Sequence, residues 1–581
     1  MSNTVVMNEN GHRKSVSLPE DGLALGQILL RRLDEEPDAV ACQLVGNNGD
    51  VDIVTVRQLM DRAKAFALRY GPAAGGRKIV AVCIYHGRDL HAAFVGALLA
   101  GHIPTMVAPP SPRMDAAKYT NSFGRMLNHI RPDFVVADSS ALEKLDALAL
   151  KRFPESELID AALVSASTNF DPWEGHAEDV AVLQHSSGTT GLQKGVALSH
   201  RAIIKHNRAY AERLKLTHDD VIVSWLPLYH DMGFIACFLL PLLARVAFVE
   251  LSPFDWVLRP VSLLQQIALH RATFCWMPNF AFQFMAESIS PHQIPAGLRL
   301  DSIRAWVNCS EPVQHEAHEA FLKRFGEYGA KPEQFTASYA MAENVFAVSQ
   351  SLPGEGRVLP VNRREFSFER IELDTTAAAL TFVSNGKVLE GTELAVIDEA
   401  EQLLPPKRVG ELVIRGDYRF AGYFRRDDLT EESLTEGGWY KTGDLGFIHD
   451  GEVYVTGRKK DLIIIQGRNF YPSDIEKIVA EVEGVIAGRL VVFGLRNEQK
   501  GTEGLIILAE SEQHESDAAR RLALRIRNVV AQELDCTPQD VRIVPSRWLI
   551  KSTAGKLARN DNRNKYQEEF MKEKRGSLVY V

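Results

Sequence analysis

Through roughly the first 450 residues, short apolar runs alternate with longer amphipathic stretches, the pattern of α/β units built on parallel sheet. VAVLQ (180–184), VIVSW (221–225), VAFVEL (246–251), ATFCWM (272–277) and IRAWVN (303–308) read as buried strands. Between them Ser199 stands before HRAIIKHNRAYAERL, where a polar cap followed by apolar residues at helical spacing predicts a helix start. Near Thr456 the texture changes. EVYVTGRKKDLIIIQGRNFYPSDIEKIVAEV runs from strand to charged turn, strand, loop and helix, with Ser473 and Glu476 spaced as a capping box. RLVVFGL (489–495), EGLIILAE (503–510) and VRIVP (541–545) then flank a helical stretch around Asp517 to Leu534. A chain of 581 residues is ample for two domains. The expected division is a large α/β domain over 1–457 and a small α+β domain over 458–581.

A formal net charge of −9 supplies no basic field for a nucleic-acid backbone. The longest apolar run, Phe234 to Ala244, contains Pro241, stops at Arg245 and falls short of the ~20 residues that span a bilayer, so a buried segment is expected. The opening residues MSNTVVMNENGHRK lack the apolar stretch of a secretory signal, and a cytoplasmic protein is expected. Six cysteines show no CxxC spacing, which predicts buried free thiols rather than a zinc site or a disulfide framework.

SSGTTGLQKG (186–195) directly follows the strand VAVLQ. Ser186, Ser187, Gly188, Thr189, Thr190 and Gly191 offer hydroxyl and backbone N–H donors for phosphate oxygens, and Lys194 adds a point charge for the same anion. Lys194 precedes Gly195, the reverse of the Gly-Lys-Ser/Thr order of a Walker A loop, so a P-loop ATPase is disfavoured. Taken alone, the string reads equally well as a flexible turn.

The other motifs decide the matter. SWLPLYHDMGFI (224–235), NCSEPV (308–313), SYAMAEN (338–344), GELVIRG (410–416), YKTGDLG (440–446), TGRKKDLIII (456–465) and KSTAGK (551–556) follow the loop in order. Together they resemble the signature motifs of the adenylate-forming (AMP-binding) superfamily, whose members join a carboxylate to AMP. The resemblance implies that family's fold, with a large multi-subdomain N-terminal domain of mainly parallel sheets and a small mobile C-terminal domain. It also implies ATP and Mg2+ as cofactors, with pyrophosphate released.

By the same resemblance, Lys556 is the catalytic lysine, Glu343 the magnesium ligand, and His230 a positioning residue at the acyl-pocket entrance. Bringing a carboxylate to the α-phosphate of ATP gathers negative charge, so cations and oriented donors suit the task. Ser310, Glu311 and Pro312 are implied to line the adenine pocket with Tyr339, within the nucleotide-binding run Ser338, Tyr339, Ala340, Met341 and Ala342. Ala340 stands where glycine is usual and Ala342 where threonine is common. Asp444 and Arg458 are implied to hold the ribose, a diol that a carboxylate acceptor binds well. Lys460 occupies the hinge position. Trp225, Met232, Phe234, Met277 and Phe280, together with Phe282, are candidates for an apolar acyl pocket, and core packing is their alternative.

SWLPLYHDMG, APPSPR (108–113), PNFAF (278–282) and SEPV look like the fatty acyl-AMP ligase versions of these motifs. The interval after Glu343 also has room for that branch's insertion, about 355–385. In those relatives the insertion packs against the large domain and hinders the small domain from reaching the arrangement that uses coenzyme A. The expected reaction is therefore activation of a fatty acid to acyl-adenylate and transfer to the phosphopantetheine of a carrier protein. Too few residues follow Lys556 for an appended carrier, so a separate chain is expected. The alternatives are an acyl-CoA ligase for fatty or aryl acids, and a non-catalytic nucleotide-binding homologue.

Overall fold

The computed structural model describes residues 15–571 apart from 20–21, 111–115, 149–155, 167–169, 186–193, 367–368, 377–378, 466–467, 487, 498–501, 515 and 552–555. The phosphate-loop residues Ser186 to Gly191 lie outside the described residues, whereas Lys194 is described. By its internal contacts the chain divides into two units. One comprises Met1–Arg357, Ser384–Leu394 and Ile414–Tyr440, and the other Val358–Val383, Ala395–Val413 and Lys441–Val581.

The first unit is built on a nine-stranded sheet. Val40–Val45, Ala247–Leu251, Val221–Ser224, Phe274–Met277, Ala305–Asn308 and Phe335–Ala340 lie side by side and all parallel, with antiparallel strands at both margins. Their apolar runs follow from this placement, because strands covered on both faces have no polar side. All four residues of Phe274–Met277 and of Ala305–Asn308 are buried. A second, four-stranded parallel sheet has the order Ile103–Met106, Ile79–Cys83, Phe134–Ala137, Glu157–Asp160. The expected helix after Ser199 runs over His200–Leu214, and the Ser199 hydroxyl accepts from the Ala202 N–H at 3.1 Å. VAVLQ is a strand, Val180–His185, but it pairs antiparallel with Gly195–Ser199, the strand that leaves the phosphate loop. A two-residue strand, Gly422–Tyr423, completes this three-stranded sheet.

The apolar run around Phe234 is buried as expected. It forms a π-helical segment, Met232–Leu239, continued by the helix Leu240–Ala244. Among the described residues no helix is long and apolar enough to cross a membrane. All six cysteines are free and buried.

In the second unit, Leu490–Asn497, Thr502–Glu510 and Asp540–Val544 form a sheet against the helix Ser516–Leu534, close to the bounds expected from sequence. The expected Ser473/Glu476 capping box does not form. Pro472 opens the helix Pro472–Ala480, with Tyr471 at the cap and no side-chain cap bond. Glu476 instead accepts from the Val492 N–H at 3.0 Å and pairs with Arg559. Val358–Val361 and Leu380–Val383 pair as antiparallel strands. Phe366 and Phe382 from this hairpin are buried in one apolar cluster with Phe447, Tyr454 and Tyr471.

Candidate active site

In the first unit the site is organised around Glu343. It lies in a 3-10 turn, Ala342–Asn344, at the end of the strand Phe335–Ala340, and is 9% exposed. The next residue, Val345, has φ +65° and ψ −57°, and the Phe346 N–H donates to the Asn344 carbonyl at 2.7 Å. This is a γ-turn of the rare, strained hand, held here by a β-branched residue. Three further bonds fix it: Met341 N–H to Phe346 O at 2.8 Å, Asn344 Nδ2 to Ala347 O at 2.9 Å, and Phe420 N–H to Glu343 O at 2.9 Å. Strain of this kind persists where its surroundings over-determine the backbone, and here it fixes where the carboxylate sits.

The Glu343 carboxylate accepts from the Tyr423 hydroxyl at 2.8 Å, and the Tyr423 and Tyr440 hydroxyls are 3.0 Å apart. Burial, and then the charge of Glu343, hold the Tyr440 phenol well above its ordinary range, so it remains protonated. The Lys194 ammonium lies 4.3 Å above the Tyr423 ring centroid. A carboxylate and an ammonium at the exit of the phosphate loop are thus brought to one phenol. The oxygen bonded to Tyr423 leaves the carboxylate with lone pairs for a divalent cation. No three acidic, cysteine or histidine side chains cluster as a metal-binding set among the described residues. An ion held here would draw on Glu343 and on substrate phosphates, a donor set of the kind magnesium takes beside a triphosphate.

Ser310 has φ +74°, so the NCSEP segment turns sharply at the end of the strand Ala305–Asn308. The Glu311 carboxylate accepts from the Phe280 N–H at 3.1 Å and so caps the helix Asn279–Ser288. Tyr339 is 6% exposed and is aligned in its strand, where the adjacent Ser338 hydroxyl donates to Ser349 O at 3.0 Å. In HDMG, Asp231 accepts from the Met232 N–H at 2.8 Å. A Cβ on Gly233 would sit 2.4 Å from the Pro227 carbonyl oxygen, so only glycine lets the His230 turn close.

The acyl-pocket candidates divide. Trp225 stacks face to face on Trp256, with centroids 3.5 Å apart, and meets the edge of Phe280. Met232 lies beside the Ser310 hydroxyl, at 3.8 Å. Phe234 packs edge-on against Phe94, Phe282 packs among His318, Phe321 and Phe335, and Met277 is fully buried. A separate, mainly apolar cavity is lined by Val82, Met106, Leu228, Tyr229 and Phe254, with His86 and Glu250 as its polar members, and none of the candidates lines it.

In the second unit, Asp444 and Arg458 are partners across the antiparallel strands Tyr440–His449 and Glu452–Arg458. Arg458 Nε lies 2.7 Å from the buried Asp444 carboxylate. Glu411, in the GELVIRG motif but given no role from sequence, holds this corner: it accepts from the Gly443 N–H at 3.1 Å and pairs with Lys459 at 2.8 Å. Lys460 is in the 3-10 turn Lys459–Asp461, and Lys556 is half-buried just before the bridge between Lys551 and Leu557. Sequence reasoning also missed Tyr423 and Tyr440. Tyr440 opens the YKTGDLG motif and Tyr423 lies in none, and only their fold partner Glu343 gives them a role.

A cation and a carboxylate on one phenol, at the exit of a Gly/Ser/Thr loop in a parallel α/β fold, define a nucleotide-handling enzyme. The AMP-binding enzyme family matches residues 29–424, and the chain belongs to this family. It is a ligase that uses ATP to adenylate an acid. It is 28% identical to the medium-chain-fatty-acid–[acyl-carrier-protein] ligase JamA of Moorena producens, over 89% of this chain and 90% of that one. It is likewise 28% identical to the long-chain-fatty-acid–AMP ligase FadD26 of Mycobacterium bovis, over 96% and 99%. A solved structure from a study of fatty acyl-adenylate ligases of E. coli and L. pneumophila superposes with a TM-score of 0.87 at 26% identity, covering 96% of this chain and 100% of that one.

Proposed function

We propose that the protein activates a fatty acid with ATP and Mg2+ to an acyl-adenylate, releases pyrophosphate, and passes the acyl group to the phosphopantetheine thiol of a separate carrier protein in the cytoplasm. The observation that carries this reading is the Lys194–Tyr423–Glu343 arrangement, which offers a triphosphate a cation and, 2.8 Å from the phenol oxygen, a carboxylate for its metal. Magnesium, when bound, neutralises charge on the β- and γ-phosphates as pyrophosphate leaves. Glu343 holds it, and Ser310, Glu311, Pro312 and the run Ser338 to Ala342 line the adenine side. Asp444 and Arg458 take the ribose hydroxyls. Lys556 bridges the acyl carboxylate and the ribose side as charge builds at the α-phosphate. His230 orients the carboxylate, and Trp225, Met232, Phe234, Met277 and Phe280 wall the acid. The small domain begins at residue 458 and turns about Lys460 between the two half-reactions.

The fatty acid and the carrier are favoured by the relatives, whose names include a fatty-acid–AMP ligase and a fatty-acid–[acyl-carrier-protein] ligase. The test is incubation with ATP, Mg2+ and a fatty-acid length series, with coenzyme A, with holo carrier protein, or with neither, and products read by mass spectrometry. Acyl-AMP that moves to the carrier and not to coenzyme A is the expected result. Abundant acyl-CoA makes the protein a CoA ligase, and no adenylate from any fatty acid moves the substrate to aryl acids.

A further inference from the structure

We infer that Tyr423 is a positioning residue that holds the phosphate-loop lysine and the metal carboxylate apart yet aligned on one triphosphate; this rests on Glu343 being the magnesium ligand. Lys194 and Glu343 carry opposite charges and share a neighbour, but form no ion pair with each other among the described residues. A direct pair would spend both charges on one another, leaving the phosphate without its cation and the metal without its ligand. The phenol separates them. Its π face takes the ammonium and its O–H takes the carboxylate, so each charge keeps a partner weaker than the one it meets in the substrate complex.

The backbone around Tyr423 is stitched to both sides. Toward the phosphate loop, Tyr423 faces Val196 in the strand Gly195–Ser199, with the Ala421 N–H on Ala197 O and the Phe424 N–H on Gly195 O, both at 2.8 Å. Toward the metal side, the Phe420 N–H donates to the carbonyl of Glu343 itself at 2.9 Å. The Tyr423 N–H donates to Thr430 Oγ1 at 2.9 Å, and Tyr440 fixes the direction of the hydroxyl from 3.0 Å away. Five consecutive residues therefore set the separation of Lys194 and Glu343 through strand pairing rather than through mobile side chains. The ring itself is 4% exposed and cannot swing out to solvent without breaking this packing.

The test separates the hydroxyl from the ring. Affinity for ATP is measured by calorimetry with and without Mg2+ for the full chain, for Tyr423→Phe, Tyr423→Leu and Glu343→Gln, with melting temperature as a check on folding. Tyr423→Phe keeps the aromatic face, and is expected to leave Mg2+-free ATP affinity near the original while cutting the Mg2+-linked gain by roughly tenfold. Tyr423→Leu is expected to lower both, with the Mg2+-free loss restored in the Phe variant. A Tyr423→Phe protein with its full Mg2+-linked gain, or one weakened equally with and without the ion, overturns the inference. If Glu343→Gln loses the gain and Tyr423→Phe keeps it, the inference alone fails. If Glu343→Gln keeps the gain, the reading of Glu343 as metal ligand fails and takes the inference with it.

Discussion

Asp444 is a carboxylate that the fold has already desolvated and paired, with Arg458 Nε 2.7 Å from it and its own N–H bonded to Thr442 Oγ1 at 3.0 Å. In the proposed complex a pre-paired acceptor would meet a ribose hydroxyl without reorganising, which is how an oriented group contributes more than a flexible one. Asp444→Asn replaces an acceptor oxygen with a donor and leaves Arg458 without its counter-charge. The expected outcome is a KM for ATP raised about tenfold in pyrophosphate exchange, with kcat changed less. Substituting 2′-deoxy-ATP is expected to penalise the original protein more than the variant, because only the original has the bond to lose. In the proposed reading Lys556 bridges the acyl carboxylate and the ribose side of ATP. Lys556→Ala is expected to lower adenylation by on the order of 100-fold, as for loss of a preorganised donor. Near-normal rates would remove it from the mechanism.

At the scale of elements, the helix Arg88–Leu99 is tied to the strand Ala247–Leu251 by charge rather than by apolar packing alone. His91 Nε2 lies 2.8 Å from one oxygen of the buried Glu250, and His86 Nδ1 lies 3.2 Å from the other. Burial pulls His91 down, but the charge of Glu250 together with hydrogen bonds to Cys42 and Glu250 outweighs it and lifts the imidazole above its usual range, while Glu250, which burial alone would raise, is held below the usual carboxylate range by the charges and hydrogen bonds of His91 and His86 together. The two shifts have opposite linkage. Glu250's contribution is present above the ordinary carboxylate pKa and is lost as pH falls through its lowered value, whereas that of His91 is present below the ordinary imidazole pKa and is lost as pH rises through its raised value. Glu250→Gln removes one partner of a buried pair and is expected to cost about 3 to 5 kcal/mol by denaturant midpoint at neutral pH, with the double change His91→Leu, Glu250→Leu recovering most of it. Full stability in Glu250→Gln would show that the pair is not charged. This contact is also where sequence reading stops. Strands such as Phe274–Met277, and the helix capped by Ser199, are legible because their signals are local, an apolar run or a cap beside its helix. The Ser473/Glu476 box looked equally local and failed because Glu476 had a better partner in Arg559, far along the chain. Tyr423, Glu411 and Glu250 were missed for the same reason: each gains its meaning from a side chain or backbone group that only the fold brings near.

For the whole molecule, the residues that matter are those that resist motion of the proposed small domain. The hairpin over Val358–Val383 packs Phe382 on Phe447, upstream of Lys460, at 5.8 Å, and Phe366 on Tyr471, downstream of it, at 5.1 Å. Asn469 donates to Glu369 at 2.8 Å, Lys477 to Thr381 at 3.2 Å, and Arg363 to the Glu533 carbonyl at 3.3 Å. If the small domain turns about Lys460 as proposed, a segment in contact with both sides of that position would have to give way first, and its contacts would then add to the barrier against a coenzyme A-using arrangement. Phe366→Ala removes a buried ring whose loss typically costs about 3 to 5 kcal/mol, and Arg363→Ala removes a bond at the far end of the same contact. The paired change is expected to leave acyl-AMP formation within about twofold, since the groups around Glu343 are untouched, and to make acyl-CoA detectable when coenzyme A is supplied. The measurement is the ratio of acyl-CoA to acyl-AMP by mass spectrometry in the paired variant and in the original. An unchanged ratio, with adenylation intact, would show that acceptor choice is set by the thiol's binding route and not by the hairpin's hold on the hinge.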